Sequence, residues 1–108
     1  MPLNKTLRNG VLIDVNVKQD DAGAFIIINK NRNKYFYVAA ENIDGAITKH
    51  SILLEEGNHK NAALQRDYNH QGGEGFSIAV IMSDIDFESA QYIVMELLKV
   101  DTAAYNHE

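Results

Sequence analysis

Apolar and polar positions alternate first at Val11, Ile13, Val15 and Val17, the period-two pattern of a strand with one face on a core. Lys18 to Gly23 then gathers turn formers, with Asp20 and Asp21 ahead of the glycine. Ala24 to Asn29 contains the run Phe25-Ile26-Ile27-Ile28 and predicts a central strand. Asn29 to Asn33 is a polar turn, and Tyr35 to Ala40 predicts the next strand. Three strands joined by short turns suggest an antiparallel meander.

The period then changes. Ile43, Ile47, His50 and Leu54 recur at three- and four-residue steps and form one helical face. Asn42 is placed to cap that helix and Gly57 to end it, so the prediction is a helix from Ile43 to Glu56. Gly45 costs about 1 kcal/mol relative to alanine and predicts an irregular first turn. A shorter helix is predicted from about Lys60 to His70, stopped by Gly72 and Gly73. Phe76 to Met82 is an apolar strand. Ser83 and Asp86 resemble a capping box opening a last helix over Asp84 to Val100, which packs Phe87, Ala90, Val94 and Leu97. The tail from Asp101 to Glu108 reads as short and partly ordered. The order β-β-β-α-α-β-α describes an α+β domain: a small antiparallel sheet of three or four strands flanked by about three helices.

Composition narrows the class. A chain of 108 residues with 45% apolar and 23% charged residues is that of one globular domain. No cysteine is present, which excludes disulfides and thiolate metal sites and suits a reducing cytosol. No apolar run approaches the roughly 18 residues of a membrane span, and no secretory apolar core follows Met1. The expectation is a soluble cytoplasmic protein with no membrane partner. The net charge of −5 weighs against a protein that tracks phosphates.

The spacing from Gly23 onward carries a resemblance. Gly23-Ala24-Phe25 stands ten residues ahead of the triplet Phe36-Tyr37-Val38. His50, Leu54, Gly57, His59, the run Leu64-Gln65-Arg66, Asn69 and Gly72 follow without a gap. Further on come the strand FSIAVI, the helix ESAQYIVMELL and Tyr105-Asn106. The chain resembles the GIY-YIG nuclease domain, in particular that of phage homing endonucleases. Residues 1–22 fall outside the likeness and read as an N-terminal extension contributing a strand, with residues 23–108 as the domain proper.

The resemblance implies a phosphodiesterase site in which two tyrosines, an arginine and one metal-binding glutamate act together. In this chain those positions fall on Phe25, Phe36, Ala46 and Ala90. Phenylalanine keeps the ring without the hydroxyl that orients water. Alanine offers neither charge for a phosphate nor a carboxylate for a metal ion. Val38 replaces the glycine of the second triplet. Loss of four groups with the framework kept implies a nuclease scaffold without its chemistry. No catalytic residue, metal ligand or cofactor is therefore expected. Glu88 lies two residues from Ala90, on a different face of a helix, and is a poor substitute ligand.

What remains is binding. Tyr35, Tyr37, His50, His59, Lys60 and Arg66 are candidates for a binding face, and tyrosine is enriched where partners anchor. Lys30, Arg32 and Lys34 could contact phosphate from one turn, though a solvated hairpin gives the same pattern. Asp84, Asp86 and Glu88 sit where a helix dipole favours acid. The expected function is a phage-encoded protein that binds and inhibits or regulates a protein target in the host cytoplasm, such as a defence or competitor enzyme, as a monomer or a homodimer. The alternatives are a nucleic-acid binder that does not cut, using Lys30, Arg32, Lys34, Lys49, Lys60 and Arg66, and a residual metal-dependent nuclease.

Overall fold

The computed structural model describes residues 21–108, together with the backbone of residues 5–8 and 11–14. Five strands make one sheet: β1 (Lys5–Arg8), β2 (Val11–Asp14), β3 (Gly23–Asn29), β4 (Lys34–Ala40) and β5 (Phe76–Ser83). Among the described residues three α-helices complete it: α1 (Ile43–Glu56), α2 (Ala62–Gln71) and α3 (Phe87–Val100). The spatial order is β1-β2-β5-β3-β4. One side of it, β5-β3-β4, is the expected antiparallel sheet of three strands, with three helices around it.

The meander is corrected. A strand has two edges, and those of β3 are taken by β4 and by β5, the latter paired from Gly23↔Ser83 to Asn29↔Phe76. The N-terminal strand therefore cannot lie beside β3. It pairs with β1 as a hairpin and runs parallel to β5 through Leu12↔Ser77 and Ile13↔Ile78. The expected continuation of that strand over residues 15–17, and the turn over 18–20, lie outside the described residues.

Side chains alternate across the strands, so register decides what each face carries. Phe25 and Ile27 of β3 share a face with Val80 and Ile78 of β5 and with Val38 and Phe36 of β4. That face meets Ile43, Ile47 and Leu54 of α1 and Leu64 and Tyr68 of α2 in one buried cluster. Burying an aliphatic or aromatic side chain of this size contributes about 1.5–3 kcal/mol. Tyr37, on the opposite face, donates its hydroxyl to Asp101 at the end of α3 (2.8 Å), and α3 lies along β4 and β3.

Gly23 is fixed by crowding. A Cβ there would run into the Met82 carbonyl and the Ile43 side chain, so only glycine lets β3 approach β5 and α1 this closely. Asn42 accepts from the Gly45 amide at 2.8 Å, so the helix starts where expected and its first turn is regular. Gly57, at φ 79°, ends it in the left-handed conformation and donates to the Leu53 and Leu54 carbonyls. The start of α3 differs from expectation. Asp86, not Ser83, is its cap, accepting from Ser89 at 2.6 Å, and Asp84 takes a positive φ of 60° in the turn ahead of it.

The tail is more ordered than its composition suggests. Tyr105 is fully buried. Asn106 accepts from the Tyr37 amide and donates to the Tyr37 carbonyl, both at 2.8 Å, so one side-chain amide occupies both backbone groups on the outer edge of β4. Among the described residues no helix is long and apolar enough to cross a membrane.

Candidate functional site

A cleft of about 440 Å³ opens where β4, α1, the turn between α1 and α2, and the tail converge. Phe36 comes from β4, Lys49, His50 and Leu53 from α1, His59, Lys60 and Asn61 from the turn, and Asn106 and Glu108 from the tail.

The turn is held from beneath by Gln65 of α2. Its Oε1 accepts from the His59 amide (2.9 Å), while its Nε2 donates to the Leu54 carbonyl (2.9 Å) and to Asn69 (2.8 Å). Asn61 caps α2 by accepting from Leu64 (3.0 Å) and donates to the Tyr105 carbonyl (2.8 Å). Its backbone amide donates to His59 Nδ1 at 3.0 Å. An amide can only donate, so Nδ1 of His59 accepts and its proton sits on Nε2. That Nε2–H donates to His50 Nδ1 at 2.8 Å, which leaves the His50 proton on its own Nε2.

Aromatic rings enclose the pair. Phe25 and Phe36 meet His50 edge-on with centroids 6.0 and 5.9 Å apart, and Phe36 meets His59 at 5.3 Å. Burial, then the neighbouring His59 and Lys49, push His50 down to about 4, and burial lowers His59. Both rings are neutral at pH 7. An unfolded chain binds these protons first, so stability is complete above the ordinary histidine pKa of about 6.5 and falls as pH drops from there towards 4. Discounted for partial exposure of His50, the loss is on the order of 1 kcal/mol, to be read from urea midpoints at pH 7.5 and 5.

The four positions that the resemblance links to catalysis lie in three settings. Phe25 and Ala90 are fully buried. Phe36 lines the cleft, and Ala46 is half-buried against the core. None brings a hydroxyl, guanidinium or carboxylate. The carboxylate that does line the cleft, Glu108, is ion-paired with Lys34.

Of the predicted binding face, His50, His59 and Lys60 come together in the cleft. Arg66 projects from α2 into solvent near Asp67 (3.9 Å). Tyr35 and Tyr37 pack edge-on at 6.2 Å on the opposite face of the sheet from Phe36. The three basic residues of the β3–β4 turn separate as well. Lys30 is exposed, Arg32 donates to Asp67 (2.7 Å), and Lys34 bonds Glu108 and lies 4.9 Å over the Tyr105 ring. Glu88, with Asp86 and Tyr92, lines a separate shallow groove on α3.

Sequence reasoning did not place Leu53, Asn61, Asn106 or Glu108 in the cleft. Asn61 could have been found as an asparagine three residues ahead of Leu64 at a helix start. Nothing in the local pattern marks Glu108.

A second polar network braces the site. Tyr105 donates to Asp67 (2.6 Å) and accepts from Asn29 (2.9 Å). Asn29 exchanges hydrogen bonds with Gln71 (2.8 and 3.1 Å) and accepts from the turn amides of Asn31 and Arg32. Burial alone would raise the Asp67 carboxyl, but the Tyr105 and Arg32 donors outweigh it and hold it below the usual range. Burial and the Asp67 bond push the Tyr105 phenol up to about 12.

No family model matches the chain, and no curated protein matches it in sequence. Solved structures do. The chain is similar to the catalytic domain of homing endonuclease I-TevI, with 24% identity and a TM-score of 0.68, over 78% of this chain and 95% of that one. It is likewise similar to a glutamate-to-alanine mutant of the catalytic domain of intron endonuclease I-TevI, with 26% identity and a TM-score of 0.65, over 82% of this chain and 94% of that one. The three-stranded antiparallel sheet and its three helices thus match the GIY-YIG-like α+β fold of these neighbours.

Proposed function

We propose that the chain is a non-catalytic binding protein that uses the cleft face of a nuclease fold to inhibit or regulate a protein partner. The observation that carries this reading is the set Phe25, Phe36, Ala46 and Ala90. On a fold whose solved neighbours are endonuclease domains, these positions supply no hydroxyl, cation or carboxylate. The cleft histidines support it, being neutral, enclosed by rings and bonded to each other rather than held ready for a phosphate. A net charge of −5 favours a protein partner over nucleic acid. A phage origin fits the kind of enzyme the fold resembles, and it remains part of the proposal.

Fluorescence anisotropy with single-stranded, duplex and branched DNA at low salt tests the choice of partner. The expected result is no saturable binding at micromolar protein. Binding that weakens steeply with added salt would replace this reading with that of a non-cleaving nucleic-acid binder. A complementary capture from the source organism's lysate should retain a specific protein on the native chain and lose it with Lys60→Glu.

A further inference from the structure

The hydrogen bonds at the cleft form a directed chain: Asn61 N–H to His59 Nδ1, then His59 Nε2–H to His50 Nδ1. An added proton must go to a nitrogen that now accepts. On His50 that nitrogen is Nδ1, which would set two N–H groups facing each other across 2.8 Å. On His59 it is Nδ1, where the Asn61 amide already points from 3.0 Å. Moving the existing proton between the two nitrogens of His59 only transfers the conflict from one end to the other. No arrangement of a charged pair keeps both bonds.

The surroundings give a charged pair little relief. Phe25 and Phe36 enclose the pair with apolar rings from β3 and β4, Lys49 stands on α1 and Lys60 on the turn, and Glu108 from the tail is engaged by Lys34. His59 is 9% exposed. Yet the segment that must yield is small. The turn from Asn58 to Asn61 joins two capped helices and is not part of the strand pairing of the sheet.

We infer that the His50–His59 bond is a proton-operated latch on the cleft. Neutral, it ties α1 to the turn that opens α2; protonated, it parts and adds two positive charges to the wall that carries Lys49 and Lys60. Once the rings separate and reach water, the obstacle to the second proton is gone, so the two protons bind together. The cleft then favours anionic groups in acid more than at neutral pH. This consequence for binding rests on the cleft being the partner surface, whereas the latch itself is a property of the free chain.

Nitrogen-15 NMR of the histidine side chains of the free protein, from pH 8 to pH 4, tests it with no partner present. At pH 7.5 both rings should carry the proton on Nε2. On acidification they should titrate together below the ordinary histidine range, with an apparent Hill coefficient near about 2. The amides of Asn61 and Leu64 should shift at the same midpoint, while those of Ile27 and Ile78 in the sheet stay in place. Two separate one-proton steps, a His50 proton on Nδ1 at neutral pH, or loss of the sheet signals at the same midpoint would each overturn the inference. In His50→Phe the remaining ring should titrate with a coefficient of about 1. A steep transition surviving in that variant would overturn it too, and if the variant fails to fold the native titration decides alone.

Discussion

Ala90→Glu is expected to cost about 3–5 kcal/mol of stability, because a carboxylate would enter a position with no exposure. A domain of this size has roughly 5–15 kcal/mol in total, so the variant should be largely unfolded at temperatures where the native chain is stable. Urea denaturation followed by far-UV circular dichroism reads the loss directly. Ala46→Arg provides the contrast. Ala46 is half-buried on α1, where a long side chain can extend its guanidinium to water, and the expected change is within about 1 kcal/mol. The difference separates two kinds of replacement. At position 46, on the proposed reading, a functional group is missing from a half-buried surface that could still hold a long side chain. At position 90 the packing of the helix has closed over the place where a carboxylate would stand. An Ala90→Glu protein as stable as the native chain would mean that this side of α3 is open to solvent.

Tyr105→Ala is expected to cost about 3–5 kcal/mol as well, for a different reason. The ring is fully buried, and its hydroxyl joins Asp67 to Asn29, which in turn holds the β3–β4 turn and Gln71 of α2. Truncation opens a cavity and removes the strongest neutral donor to a buried carboxylate. Tyr105→Phe keeps the volume and loses only the hydroxyl, so its cost should be about 1–3 kcal/mol, the penalty for leaving Asp67 and Asn29 short of a partner. Thermal melts of both variants divide packing from hydrogen bonding. Equal losses would show that the hydroxyl network carries the stability and the ring does not.

Much of the fold was legible because its signals are local. The limits of α1 follow from Asn42 and Gly57, which act on the backbone within one turn of themselves. The apolar runs of β3, β4 and β5 likewise announce strands wherever they pair. Their arrangement was not local. That β5 enters beside β3 and displaces the N-terminal strand depends on long-range pairing, from Asn29↔Phe76 to Gly23↔Ser83, which no periodicity encodes. The same holds for the site. His50 and His59 could be named from their spacing, but not the direction of their hydrogen bond, which depends on the Asn61 amide and on Gln65 beneath the turn. Lys30, Arg32 and Lys34 appeared as one basic cluster because they are two residues apart. In three dimensions Asp67 of α2 and Glu108 of the tail each take one of them. Tyr105 and Asn106, in a tail with few apolar neighbours, act through long-range hydrogen bonds that composition does not reveal.

Strand cleavage tests most directly the proposal that this nuclease-like fold binds without cutting. Supercoiled plasmid incubated with purified protein in Mg²⁺, and separately in Mn²⁺, should show no more nicked or linear DNA than a protein-free blank. Reproducible nicking that disappears in Glu88→Ala would contradict the account, since it would place a working carboxylate on α3 after all.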